Sequence, residues 1–158
     1  LGRKIRIAIT NQQQVMPIKT RERKRLQKTI ETVLQHKSVP EGEVSLAIVD
    51  DKTIARLAKE YFGRRQATDV ISFDLREKPP ADSNKRMDCE VVVNAQEALR
   101  RSRANAIDAW AELNLYVVHG LLHQMGYNDQ QKRQARLMHA KEDELLEALG
   151  LGKVFHYK

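Results

Sequence analysis

Lys4 and Arg6 interleave with Ile5, Ile7 and Ile9, and this period of two predicts a half-buried strand over Arg3–Thr10. After a polar connection at 11–17, the apolar positions Leu26, Ile30, Val33 and Leu34 recur at helical spacing among charges. They predict an amphipathic helix over Thr20–Gln35, with Thr20 as its cap. Pro40-Glu41-Gly42 reads as a break in the chain, Val44–Val49 as an apolar strand, and Lys52–Tyr61 as a helix capped by Asp50 or Asp51. A basic turn at Gly63–Ala67 leads into a strand at Val70–Phe73, and Glu77–Lys85, with its paired prolines, is a loop. Cys89–Val93 is a short apolar strand. Helical patterns then run over Ala95–Arg103, Asp108–Met125 and Gln130–Leu149. The expected fold is α+β: a single domain over residues 1–158, one mixed sheet of about four strands with helices packed around it.

The helix expected over Asp108–Met125 carries the chemistry. His119 and His123 stand four residues apart, so on a helix their imidazoles share one face. Leu113, Tyr116, Val117, Leu121 and Leu122 surround them with apolar positions, and a buried histidine pair needs partners. Gly126 permits a left-handed turn that ends the helix and lets the chain fold back, bringing Asp129 toward the same face. Two histidines and one aspartate are three protein ligands with a position left open, the form of a catalytic zinc site on a C-terminal helix end. A helical His pair also fits a capping or surface role, and the turn and Asp129 are what favour metal. Gly120 occupies the place that Glu takes in the His-Glu-x-x-His motif, so the general base of a zinc peptidase is missing.

Charge narrows the partners. The chain carries 28 basic against 21 acidic residues, a net charge of +7, with basic clusters at Lys19–Lys28, Arg56–Arg65 and Arg100–Arg103. That excess suits a polyanion, RNA or DNA ahead of an acidic membrane, although it also suits a merely soluble basic surface. With three Phe, four Tyr and one Trp, no aromatic platform for stacking bases is evident. Trp110, Tyr116 and Met138 read as core by their spacing. The one cysteine, Cys89, excludes an internal disulfide framework and suits a reducing compartment. No apolar run approaches the roughly 20 residues that span a bilayer, and the opening residues lack a secretory h-region. A cytoplasmic protein without membrane association is expected.

Several segments together resemble the YbeY rRNA maturation factors, small bacterial metal-dependent endoribonucleases. The family pattern His-Gly-x-Leu-His-x-x-Gly-Tyr-Asp-His is matched by His119-Gly-Leu-Leu-His-Gln-Met-Gly-Tyr-Asn-Asp129. The block Thr-Asp-Val-Leu-Ser-Phe is similar to Thr68-Asp-Val-Ile-Ser-Phe73, and the Gly-Asp/Glu-Ile-Val-Ile strand is loosely similar to Cys89-Glu-Val-Val-Val93. The likeness runs from about Val44 to Leu149. By resemblance His119 and His123 are metal ligands, and Asp129 takes the place of a third ligand that is usually His. Aspartate is a competent zinc ligand, and its harder oxygen broadens the choice toward Mn²⁺ or Fe²⁺. The family also carries Arg before the Gly of a Tyr-Arg-Gly segment. Here the chain reads Tyr61-Phe62-Gly63, and Ala67 replaces the Pro before Thr-Asp.

The resemblance implies a metal-dependent endoribonuclease that prefers single strands and acts on ribosomal RNA in maturation and quality control. One zinc ion, or another divalent transition metal, is the expected cofactor; it would polarise a phosphate oxygen or activate the attacking water. Ribosomal RNA is the expected partner, with ribosomal proteins or ribosome-associated factors beside it. Arg64 and Arg65 are candidates to hold the phosphodiester in place of the missing arginine, and also fit a solvated helix end. Thr68, Asp69 and Ser72 are placed beside the cleft, with Asp69 suited to accept the distal N–H of a ligand histidine or to cap a turn. His139, on a solvated stripe, and His156 are weaker ligand candidates. A binding factor for rRNA or the ribosome, with a structural metal and little catalysis, is the alternative. A hydrolase of small phosphorylated or amide substrates ranks third, since the chain offers no Gly-rich phosphate loop.

Overall fold

A computed structural model describes residues 4–64, 66–77 and 85–152. Four strands form one mixed sheet: β1 (Lys4–Asn11), β2 (Glu41–Val49), β3 (Val70–Asp74) and β4 (Arg86–Asn94). Five helices accompany them: α1 (Thr20–His36), α2 (Asp51–Phe62), α3 (Ala95–Asn105), α4 (Ala109–Gln124) and α5 (Lys132–Ala148). The spatial order is β1-β2-β4-β3, with the first three strands parallel and β3 antiparallel to β4. Alternating side chains give the sheet two covered faces. Val44, Leu46, Ile48, Val91 and Val93 join the main core with α1 and α4. Ala47, Val49, Ile71 and Val92 meet Ile54 and Ala58 of α2 on the other face.

The expected α+β class and mixed four-stranded sheet are therefore present, and the boundaries shift for identifiable reasons. The cap of α1 falls at Lys19, not Thr20, because the Lys19 backbone N–H donates to the Glu22 carboxylate at 2.9 Å. Between the two candidate caps of α2, Asp50 is the one used, accepting from the Thr53 N–H at 3.0 Å. Pro40-Glu41-Gly42 does not break the chain for long: Gly42 already lies inside β2, in register with Met87 of β4.

Helix α4 is the centre of the molecule. It is apolar on nearly every side, which is the pattern of a helix buried all round. Leu113, Val117, Val118, Leu121 and Leu122 are fully buried, each stabilising the fold by about 1.5–3 kcal/mol. It approaches the sheet closely at Gly120. A Cβ there would lie 2.8 Å from Val91 Cγ1 and 3.2 Å from Val70 Cγ2. Position 120 thus faces the strands, and a glutamate at that place would enter the core instead of the cleft. Across the other side, Thr29 of α1 donates to Asn114 Oδ1 at 2.7 Å, and the Asn114 amide donates to the Trp110 carbonyl at 2.8 Å. This buried polar bridge sets α1 against α4, because either group left alone would forfeit a hydrogen bond.

Candidate metal centre

The C-terminal end of α4 is built as the local sequence predicts. His119 and His123 project from one face, with ring centroids 4.5 Å apart. Gly126 takes a positive φ of 96°, and the Gly126 and Tyr127 N–H groups close back on the His123 and Leu122 carbonyls at 3.1 Å each. The reversal carries Asp129 to the histidines. Each imidazole is oriented through its distal nitrogen. His119 Nδ1 lies 2.5 Å from Glu142 Oε2, and His123 Nδ1 lies 3.1 Å from the Tyr127 carbonyl. Both Nδ1 atoms donate in these contacts, so both Nε2 lone pairs point into one space, 3.0 Å apart. Asp129 Oδ2 is 3.7 Å from His119 Nε2, and Asp129 Oδ1 is 3.9 Å from His123 Nε2.

These donors suit a metal. Three ligand atoms, one from each residue, lie within 4.8 Å of one another. A tetrahedral ion with Zn–N distances of about 2.0–2.1 Å needs its donors roughly 3.3 Å apart, and the observed separations bracket that spacing. Two neutral imidazoles and one carboxylate make a borderline donor set for zinc or a neighbouring divalent transition metal. Protonation of the free site follows the same partners. Burial works against charge on His119, but the Glu142 hydrogen bond and the Glu142, Asp69 and Asp129 carboxylates outweigh it and raise its pKa above the ordinary histidine value. His123 falls below that value through burial and the neighbouring His119 charge.

The cavity in front of the pair holds about 260 Å³ and is lined by Asp69, Arg101, Leu115, Tyr116, His119, Asp129, His139 and Glu142. Four of these correct or extend the sequence reading. Glu142, fully buried on α5, is the carboxylate that receives His119. Asp69 does not: its Oδ1 accepts from the Val70 N–H at 2.8 Å and faces Thr68 Oγ1 at 3.3 Å, and its Oδ2 pairs with Arg101 at 3.3 Å. His139 is not on a solvated stripe. It lines the cavity, with Nδ1 at 2.8 Å from Glu142 Oε1. Arg101 of α3 is the cavity's one cation among the described residues. Its Nε donates to Glu97 at 2.8 Å, and Nη1 is 3.8 Å from the buried Glu112.

The pattern that describes the family Endoribonuclease YbeY matches residues 8–150. The chain belongs to the YbeY family. It is 36% identical over 150 residues to Endoribonuclease YbeY of Geobacter sulfurreducens, covering 94% of this chain and 98% of the relative. It is also 36% identical over 142 residues to Endoribonuclease YbeY of Syntrophus aciditrophicus, covering 88% and 86%. A solution structure of a Thermotoga maritima protein superposes with a TM-score of 0.63 at 21% identity, over 90% of this chain and 88% of the other, and shares the fold.

Against the YbeY pattern, the two departures are now spatial facts. Asp129 stands where the pattern usually has His, with its carboxylate facing both Nε2 atoms. Phe62 stacks on Phe73 with centroids 5.6 Å apart. Phe73 belongs to the α2 side of β3, whereas Val70 and Ser72 face α4. The Phe62 ring is therefore on the sheet face opposite the metal donors. Arg64 lies with Gln66, Ala67 and Thr68 around an open groove, its guanidinium 5.9 Å from the Phe62 ring. Ser72 accepts from Gln124 Nε2 at 2.9 Å, which ties β3 to the residue after His123. Arg65 and His156 lie outside the described residues.

Proposed function

We propose that the protein is a metal-dependent endoribonuclease that cuts single-stranded segments of ribosomal RNA in maturation and quality control. One zinc ion, or another divalent transition metal, would be held by His119, His123 and Asp129. The observation that carries this reading is the convergence of two oriented Nε2 lone pairs and the Asp129 carboxylate at the mouth of a cavity. A bound divalent ion supplies Lewis acidity toward a phosphate oxygen and lowers the pKa of water. The protein supplies orientation and charge. Glu142 holds His119, the Tyr127 carbonyl holds His123, and Arg101 offers a guanidinium to an entering phosphodiester while Asp69 orients it. Arg64 and Thr68 take the adjoining phosphate in their groove, with Arg65 beside them in the chain, and Ser72 keeps β3 in place. At about 260 Å³ the cavity suits one exposed backbone linkage better than a paired duplex. Among the described residues no helix is long and apolar enough to cross a membrane. A ribosomal substrate implies a cytoplasmic protein meeting ribosomal proteins or associated factors. The whole chain, 1–158, acts as one unit.

Metal removal tests the proposal. Chelated protein loses cleavage of a single-stranded rRNA segment, and one equivalent of zinc or manganese restores it, with a duplex of the same sequence cut far more slowly. The rival reading, a binding factor with a structural metal, draws support from the cavity's composition: Asp69, Asp129 and Glu142 face one cation. It expects RNA binding without metal-restored cleavage. The role of Arg101 has its own check. Arg101→Met removes a charge-assisted contact worth about 1.5–3 kcal/mol, so kcat/KM falls by about tenfold or more while the metal content stays at the wild-type level. An unchanged kcat/KM would make Arg101 a structural ion-pair residue only.

A further inference from the structure

A second charged surface lies away from the cavity. On α1 the residues Arg21, Lys24, Arg25 and Lys28 follow the spacing i, i+3, i+4, i+7, so they form one stripe along two turns, and all four are exposed. Several other arginines are paired with carboxylates: Arg76 with Asp74, Arg86 with Asp88, Arg100 with Asp51, Arg101 with Glu97. None of the four stripe residues has an ion pair among the described residues. The nearby carboxylates are used or turned away, since Glu22 accepts the Lys19 N–H and Glu31 lies with Gln27 and Gln35 toward Ile5 and Ile7 of β1.

The arrangement works against the helix that carries it. The N-terminal turns of a helix are its positive end, where cations are unfavourable. Like charges three and four residues apart repel as well. The sequence nevertheless places Arg21, Arg23, Lys24 and Arg25 there, with Glu22 the one acidic residue of the first turn. An anion laid along the stripe would relieve both costs at once.

Its position relative to the metal donors follows from how α1 lies on α4. The Arg25 guanidinium sits 5.1 Å from the Trp110 ring, Thr29 meets Asn114, and Lys37 sits 4.5 Å from the Tyr127 ring. The two helices therefore run in the same direction, with the stripe beside the start of α4 and the histidines at its end. From Trp110 to His123 the rise of about 1.5 Å per residue gives roughly 20 Å.

We propose that the Arg21–Lys24–Arg25–Lys28 stripe is a second RNA-binding surface, which takes the backbone phosphates of a segment flanking the one in the metal cavity. The proposal rests on the endoribonuclease reading for the identity of its polymer. The half-buried Trp110 under Arg25 adds a flat, cation-facing ring at the edge of the stripe. An RNA long enough to join the two places gains affinity from both, while a short strand gains from the cavity alone.

The test is the variant Arg21→Glu/Lys24→Glu/Lys28→Glu, with Arg25 kept because it covers Trp110. Negative charge suits this end of a helix, so the variant is expected to melt at or above the wild-type temperature. Fluorescence anisotropy with a single-stranded rRNA fragment of about 40 nucleotides should show at least a tenfold loss of affinity and a salt dependence shallower by about two counterions. Cleavage of a dinucleotide, too short to reach the stripe, should keep its wild-type kcat/KM. Unchanged affinity and salt slope in the folded variant would overturn the proposal. So would wild-type protein binding polyglutamate of equal charge as tightly as RNA, since the partner would then be an acidic polypeptide. If wild-type protein cleaves no RNA, the catalytic reading fails, and the anisotropy measurements still decide the stripe.

Discussion

His123→Ala abolishes metal-dependent RNA cleavage and leaves RNA affinity within about tenfold of wild type, a change of no more than about 1.4 kcal/mol. His123 offers one of three donor atoms that lie together, and His119 and Asp129 alone would not enclose an ion with an open position for substrate. Its side chain is about one-third exposed, at 32%, and beyond its contacts with His119 and Asp129 it bonds the Tyr127 carbonyl. Losing that neutral hydrogen bond costs the fold about 0.5–1.5 kcal/mol, so the variant remains folded. Elemental analysis supplies the companion result. Wild-type protein holds about one equivalent of transition metal, and the His119→Ala/His123→Ala double variant holds none. Wild-type cleavage by a rigorously purified His123→Ala protein would remove the metal from the mechanism.

Glu142→Gln is expected to lower metal affinity by about 10–100-fold, the range found for groups that orient ligand histidines. The Glu142 carboxylate can only accept, so it holds the His119 proton on Nδ1 and leaves Nε2 as a lone pair. A glutamine can instead present its NH₂ to Nδ1, and the ring then carries its proton on Nε2, where a ligand is needed. The same carboxylate receives His139 through its other oxygen at 2.8 Å, so the substitution disturbs both histidines of the cavity. Competition with a zinc chelator reads the affinity directly, and thermal melting shows whether the fold persists. An affinity equal to wild type would mean that His119 is oriented by packing alone.

Glu142 and Arg101 show why the reading of the cavity was incomplete before the fold was known. Glu142 stands in a run of acids with Asp143 and Glu144, and its contact with His119 spans 23 residues. A local signal did exist: Met138, Glu142, Leu145 and Leu146 are the buried residues of α5, so the carboxylate lies on its apolar face. Arg101 follows the buried Ala98 by one helical turn and was legible by the same argument. The neighbours of Asp69 in sequence place it beside the cleft, and it does line the cavity. Of its two expected roles it takes the turn cap, accepting from Val70 and Thr68 and pairing with Arg101, while Glu142 receives the histidine.

The sequence by itself determined the elements and the pair of histidines, because both depend on spacing along a regular backbone. Alternation marked β1, helical periodicity marked α1 and α4, and a separation of four residues put His119 and His123 on one face. Gly126 announced the turn that brings Asp129 back, since a positive φ is a local property. The tertiary structure alone decided what surrounds them. Parallel pairing of β1, β2 and β4 set α2 on the face opposite α4 and so separated Phe62 from the metal donors. Packing of α3 and α5 beside α4 delivered Arg101, His139 and Glu142 to one cavity. Those contacts join residues far apart in the chain, and no periodicity encodes which distant carboxylate will meet a given imidazole.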